Sequence, residues 1–383
     1  MRMYKSLASV TLLLTYLSMT ACAQSGKEIV YIGTYSLRGS EGIYVFEFDR
    51  RAGTMKPLQS VSNAKSPSFL AIHPTGRFMY SVNEADQSGP SNAGAVSAYA
   101  IDGKTGKLNF LNSQSSMGRG PCHISIDQTG RTAFVSNYGG GSLTVLPINA
   151  DGKLSAATNS VQNTGSGPNT KRQETPHVHS ATVSPENRFV YVADLGTDKL
   201  HIYETDVENG TVKPATVPFV SVKPGSGPRH FTVHPNGRFA YLVEELTSSV
   251  AVFSRDAKTG ALVLISDGVT TLPANFTGQN TSADIHIDPS GKFLYQTNRG
   301  RDAIAMFAIG SDGTLTSLGD EPTRGKTPRN FMIDPKGEFV FVAHQDSDNI
   351  TLFRRNKTTG KLTYTGQSVS VPAPVCVIMA GSR

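Results

Sequence analysis

Several short runs in this chain carry side chains whose types and spacing suit polar chemistry. From Gly227 to Leu246 the sequence reads GPRHFTVHPNGRFAYLVEEL, with Arg229 and His230 near one end and Glu244 and Glu245 at the other. Arg299 closes FLYQTNR, and Arg329 lies in PRNFMIDP. A guanidinium presents a planar fork of donors that suits a carboxylate, a phosphate or an oxyanion forming in a transition state. A glutamate beside such forks can take a proton from water, or orient the water. Glu244 and Glu245 are neighbours on a strand-like run, so their side chains diverge. Glu245 is the candidate base and Glu244 the structural acid. His177 and His179, in PHVHS, would share one side of an extended segment, and such a pair can supply half of a metal site. The residues around them lack a compact carboxylate set, so hydrogen bonding to a polar ligand is expected, with no metal or other cofactor. No G-x-S-x-G run is present, which argues against a covalent serine mechanism.

These residues need elements that bring distant parts of the chain together, and a repeat supplies them. PSFLAIHPTGRFMYSVNE from Pro67 recurs as PCHISIDQTGRTAFVSNY from Pro121 and HVHSATVSPENRFVYVADL from His177. Further copies are PRHFTVHPNGRFAYLVEE from Pro228, TSADIHIDPSGKFLYQTNR from Thr281 and PRNFMIDPKGEFVFVAHQ from Pro328. A truncated copy, PVCVIMAGSR, begins at Pro374. Spacings such as 54 residues (Pro67 to Pro121) and 46 (Pro328 to Pro374) suit propeller blades. A second series of turns carries Gly53, Gly106, Gly152, Gly210, Gly260, Gly313 and Gly360. Seven turns against six complete copies and one truncated copy predict a ring that closes on itself. The strand from Pro374 joins the blade that contains EIVYIGTY and GIYVFEF. The expected fold is all-β: a seven-bladed propeller over residues 27–383, sealed by strands from both termini so that no sheet edge is left open.

Aligned on the turn proline, the copies form columns. Leu70, Ile124, Ala181, Phe231, Ile285 and Phe331 stand four residues before it and should face the core between blades. Phe69, His123, Ser180, His230, Asp284 and Asn330 stand five before it, and His286 shares the column three before it; both should face the central channel. Six before it come Ser68, Cys122, His179, Arg229, Ala283 and Arg329. The returning strand ends with Glu84, Tyr138, Leu195, Glu245, Arg299 and Gln345. These columns converge on one rim. There His123, His177, His230, Asp284, His286, Arg329 and Asn330 are candidate ligand-binding residues. Glu84 stands beside an insertion and is set aside as background. The long connections ADQSGPSNAG, NTGSGPNTKRQET and TTLPANFTGQN lie on the same rim, where loops on a rigid scaffold usually build sites. His73 and His234, before the turn, fall on the opposite rim and read as structural.

The chain has 383 residues, 38% hydrophobic and 17% charged, enough for a substantial core. Residues 1–22 read as an export signal, with Arg2 and Lys5 ahead of the apolar run LASVTLLLTYLSM. Met19-Thr-Ala-Cys22 fits a lipoprotein box, which would leave Cys22 lipid-modified and the protein attached to a membrane. Ala21-Cys-Ala23 equally fits ordinary signal peptidase. Removing Arg2 and Lys5 with the leader, and no acids, takes the formal charge from +6 to +4. That charge is dispersed and no tryptophan is present, so nucleic acid is not an expected partner. Cys122 and Cys376 fall in non-adjacent units and are expected as buried free thiols.

PHVHSATVSPENRFVYVADLGTDKL, GSGPRHFTVHPNGRFAYLVEEL, LPANFTGQNTSADIHIDPSGKFLYQTNRG and TPRNFMIDPKGEFVFVA together resemble the lactonase family of seven-bladed propellers. That family includes bacterial 6-phosphogluconolactonases and the fungal carboxy-muconate lactonising enzyme. The resemblance covers essentially the whole chain after the leader, and it implies a lactone-handling site at the channel mouth. The family's histidine, two arginines and glutamate correspond to His179, Arg229, Arg299 and Glu245. On this reading a sugar lactone, with or without a phosphate, is hydrolysed without a covalent intermediate. Glu245 would serve as base, Arg229 and His179 would hold the oxyanion, and Arg299 or Arg329 would hold an anionic group. The export signal departs from the cytoplasmic pentose phosphate role and points to a periplasmic lactone. Two other readings are a non-enzymatic exported propeller that binds a glycan or protein partner at the same rim, and a metal-dependent lactonase.

Overall fold

A computed structural model describes residues 28–87 and 92–380. The expected leader at 1–22, with Cys22, lies outside the described residues. Among the described residues, twenty-eight strands form seven antiparallel four-stranded sheets. Blade 1 takes its innermost strand, Pro374–Met379, from the end of the chain and its second, Glu28–Thr34, from the beginning. They pair in the register Val30↔Met379, Tyr31↔Ile378 and Ile32↔Val377. The ring is therefore closed by main-chain hydrogen bonds between its two ends, as the truncated seventh copy predicts. Blades 2 to 7 follow in chain order, with innermost strands Leu70–Ile72, Pro121–Ile126, Val178–Val183, Pro228–Val233, Thr281–Ile287 and Pro328–Ile333.

The core lies between the blades. Each second strand packs on a neighbouring blade through both faces, so it reads as an almost unbroken apolar run; Phe189–Asp194 is buried at every position. Outer strands such as Thr211–Ser221 meet solvent and are mostly exposed. The column four residues before the turn is buried throughout, from Leu70 to Phe331.

The two repeat series are joined by a recurrent polar tie. The hydroxyls of Tyr31, Tyr80, Tyr191, Tyr241 and Tyr295 donate to the carbonyls of Gly106, Gly152, Gly260, Gly313 and Gly360, each in the turn of the next blade. Gly260 shows why the turn needs glycine. Its φ is 74°, and an added Cβ would sit 2.7 Å from the Phe189 ring. In the other series, the turn between the two innermost strands, Asn187 stands where the other copies have Gly76, Gly130, Gly237, Gly291 and Gly337, and it takes the left-handed conformation with φ 59°. His73 and His234 bond the Gly130 and Gly291 carbonyls of neighbouring blades, which accounts for the histidines of this rim as structural.

Candidate active site

Strict alternation along a strand would send neighbouring columns to opposite faces. A repeated β-bulge prevents this at the start of the innermost strands. In blade 3 the ladder skips Cys122, in blade 4 His179, and in blade 7 Arg329. Blade 5 skips Arg229 and His230, and blade 6 skips Ala283 and Asp284. A bulge leaves a residue out of the ladder and re-aims its side chain. Here it brings the columns five and six residues before the turn to the same opening.

Two connected spaces result. The mouth, of about 280 Å³, is lined by Glu84, Cys122, Tyr138, Arg172, His179, Glu245, Thr281, Arg299 and Arg329. Below it lies a neck of about 10 Å³, lined among others by Tyr35, Ser68, Glu84, His179, Arg229, His230 and Arg329. That is the room one water molecule needs. Glu84, Cys122, His179 and Arg329 border both spaces.

Glu245 lies at the centre of a cluster of arginines. Its Oε2 accepts from Arg229 Nε and Arg299 Nη2, both at 3.0 Å, and its Oε1 accepts from Arg172 Nη2 at 2.7 Å. Burial opposes its ionisation, but Arg299, Arg229 and Arg172 prevail and hold the carboxyl at about 2. Arg229, 2% exposed, donates Nη1 to the Ala283 carbonyl at 2.7 Å, and its Nη2 makes no hydrogen bond among the described residues. Burial and the charges of Arg299 and Arg329 pull it down to about 9, so it stays protonated at neutral pH. Arg299 Nη2 also donates to the Ser282 carbonyl at 2.8 Å. Arg172 belongs to the NTGSGPNTKRQET loop. The next residue, Gln173, pins that loop by donating to the Leu195 carbonyl at 2.9 Å and to Asp198 at 2.7 Å.

Arg329 differs from these. Among the described residues it has no ion pair and no hydrogen bond, and its guanidinium lies 5.4 Å from the centre of the Tyr35 ring. Glu84 is the other carboxylate at the mouth and makes no ion pair among the described residues. Ser68 Oγ donates to its Oε2, and Tyr35 is a further hydrogen-bond partner. Burial raises its carboxyl above the ordinary value, against the opposing pull of Arg329 and Ser68.

The predicted histidines divide into groups. His179 borders both spaces, with Nδ1 3.9 Å from the Cys122 sulfur. Burial, and then Arg229, hold it well below its usual value, so the ring is neutral. His230 lines the neck and bonds Asp284 Oδ1 through Nδ1 at 2.7 Å; burial and Arg229 bring it down to about 4. Asp284 also accepts from His286 Nε2 at 2.9 Å and Asn330 Nδ2 at 2.6 Å, forming a polar girdle across blades 5 to 7. Four predicted ligand-binding residues, His123, His177, Asp284 and His286, line neither space. Asp284 and His286 are engaged with each other in the girdle. His123 packs on Phe69 with ring centres 4.2 Å apart. His177 does not pair with His179. It stacks on Tyr138 at 4.5 Å, and its nitrogens face the Tyr138 carbonyl and Glu174. Alternate residues of an extended chain share a face, but the bulge at His179 breaks that alternation. Cys122 and Cys376 are free and buried, and burial pushes both thiols up.

Sequence reasoning passed over Arg172, Glu84, Tyr35 and Tyr138. Glu84 and Tyr138 share a repeat column with Glu245, and that column was the available signal. Tyr35 belongs to the same column in blade 1, four residues after Tyr31 as Glu84 is after Tyr80 and Glu245 after Tyr241, whereas Arg172 has no equivalent in the other copies.

Comparison with known proteins agrees with this architecture. The family described as lactonase, 7-bladed β-propeller, matches residues 29–379. The 6-phosphogluconolactonase of Bacillus subtilis is 36% identical over 352 residues, covering 92% of this chain and 98% of that protein. The enzyme of the same name from Formosa agariphila is 38% identical over 349 residues, covering 89% and 96%. The solved structure of the periplasmic gluconolactonase of Pseudomonas aeruginosa superposes with a TM-score of 0.86 at 33% identity, covering 93% of this chain and 99% of that one. The chain thus belongs to the seven-bladed β-propeller lactonase family.

Proposed function

We propose that this protein hydrolyses a sugar lactone by direct attack of water, at the arginine-rich mouth of its channel. The observation that carries this reading is Arg329, a guanidinium that lines the cavity with no ion pair or hydrogen bond among the described residues. Such a cation beside three paired ones favours an anion, and ester hydrolysis produces one at the carbonyl oxygen and again in the product. Arg229, through Nη2, and neutral His179 stand where they would stabilise that oxyanion. Arg329 would hold an acidic group of the substrate, or the carboxylate of the product. Arg299 is less suited to that part, because Glu245 and the Ser282 carbonyl already occupy it. Glu245, with both oxygens engaged and a carboxyl near 2, fits a positioning role for the three arginines better than that of a proton acceptor.

Export is part of the proposal. The leader at residues 1–22, with Cys22 as the lipid attachment point in one reading, agrees with the likeness to a periplasmic gluconolactonase. Both favour an unphosphorylated aldonolactone met outside the cytoplasm. The test follows acid release from glucono-δ-lactone and from its 6-phosphate with a pH indicator. Acceleration over the spontaneous rate is expected, with a loss of about a hundredfold or more in Arg229→Ala. No acceleration with either lactone would favour a propeller that binds a glycan or protein partner. Full activity in a folded Arg229→Ala variant would move the site elsewhere.

A further inference from the structure

The mouth holds two carboxylates in opposite states. Glu245 is clamped by three guanidiniums at 2.7–3.0 Å, so its lone pairs are committed. Glu84 borders the same mouth from blade 2 and makes no ion pair among the described residues. It also borders the neck, whose 10 Å³ suits one water molecule. Ser68 and Tyr35 hold its carboxyl in place, and Arg329 faces it without reaching ion-pair distance. An anchored, unpaired carboxylate between a cavity of lactone size and a space of water size has the position a general base requires.

We propose that Glu84 is the group that moves the proton in this reaction, taking it from a water held in the neck and returning it to the leaving oxygen. The inference rests on the hydrolytic reading above. Water attacks the lactone carbonyl carbon. Its O–H bond breaks as the new C–O bond forms, the proton passes to Glu84, and the carbonyl π pair moves onto oxygen beside Arg229 and His179. When that pair returns, the ring C–O bond breaks and the leaving oxygen takes the proton from Glu84. The carboxylate is regenerated and the product is a hydroxy acid. Burial raises the Glu84 carboxyl, which matches its proton affinity to this exchange better than that of Glu245. The charged and titratable groups around it are Arg329, Arg229, Tyr35 and Cys122, with Glu245, Arg299, Arg172 and His179 on the other walls of the mouth.

The experiment measures pH profiles of kcat and KM for glucono-δ-lactone with wild type, Glu84→Gln, Glu84→Asp and Glu84→Ala. In wild type, kcat/KM should rise with pH through the Glu84 carboxyl. Glu84→Gln should lose that limb and roughly 10²- to 10⁴-fold in kcat, with KM little changed. Glu84→Asp should keep the limb at reduced kcat, which decides the matter if the glutamine variant fails to fold. Glu84→Ala should regain activity with added formate, a rescue that a merely structural side chain would not show. Glu84→Gln within about threefold of wild type, with the acid limb unmoved, overturns the proposal. So does a folded Glu84→Ala variant that is inactive and unresponsive to formate. A wild-type protein inert towards every lactone would instead sink the hydrolytic reading itself, so the two failures are distinguishable.

Discussion

Replacing Arg329 by glutamine separates binding from stability in a way the geometry makes quantitative. Arg329 has no ion pair or hydrogen bond to lose among the described residues, only its approach to the Tyr35 ring at 5.4 Å. That contact is worth about 0.5–1 kcal/mol. Against it stands a gain, because the charge of Arg329 disfavours the protonated forms of Arg229 and Arg299. Stability should therefore change by no more than about 1 kcal/mol in either direction. Binding behaves differently. A hydrogen bond to a charged group contributes about 1.5–3 kcal/mol, which corresponds to roughly 10- to 150-fold in affinity. The assay compares kcat/KM for glucono-δ-lactone 6-phosphate and for glucono-δ-lactone in wild type, Arg329→Gln and Arg299→Gln. If Arg329 holds the acidic group, its variant should lower the phosphate-to-neutral ratio by that factor, and more than Arg299→Gln does. An unchanged ratio, combined with a loss of several kcal/mol in urea unfolding, would show that Arg329 is a structural cation.

Glu245→Gln should have the opposite profile. It leaves Arg229 and Arg299 buried without their carboxylate, at a cost of about 3–5 kcal/mol in urea unfolding, whereas a loss under 1 kcal/mol would contradict the clamp. Acid should destabilise the fold. His230 and His344 are brought down to about 4 and His123 and His179 lie well below their usual value, chiefly through burial. The unfolded chain therefore takes up more protons as pH falls from about 6.5 towards 4, by up to about 1.4 kcal/mol per pH unit for each histidine. His201, lowered by burial, acts in the same sense. Glu244, pushed up to about 7 by burial, Glu84, and His286, raised by Asp284 against its burial, work in the opposite sense, so five histidines outweigh three opposing groups. Tm at pH 4.5 should lie below Tm at pH 7.5; equality or reversal would contradict the neutral buried histidines.

The fold was legible because its information is repeated. Each copy states the same strand, turn and strand, and the mismatch between seven turns and six full copies required the Pro374 strand to pair with the Glu28 strand. The columns also placed His179, Arg229, Glu245, Arg299 and Arg329 on one rim, and those side chains do border the mouth or its neck. What the columns could not show was the state of each charge. Glu84 and Glu245 occupy equivalent positions, yet one meets three arginines and the other a serine and a tyrosine. That difference comes from Arg172, on a loop without counterparts, and from neighbours on other blades. The bulges were equally hidden. They break the two-residue period that a sequence pattern assumes, and so His177 and His179 part company while Arg229 and His230 both turn inward.

The central claim is that the lactone is handled at the mouth between Arg229 and Arg329. The most direct test is a crystal structure with the product, gluconate, soaked in at saturating concentration. Its carboxylate should lie within hydrogen-bond distance of Arg229 and Arg329, with its sugar hydroxyls towards Glu84 and Tyr138. Gluconate bound instead on the opposite rim, in the groove lined by His73, Arg77 and Arg131, would contradict it.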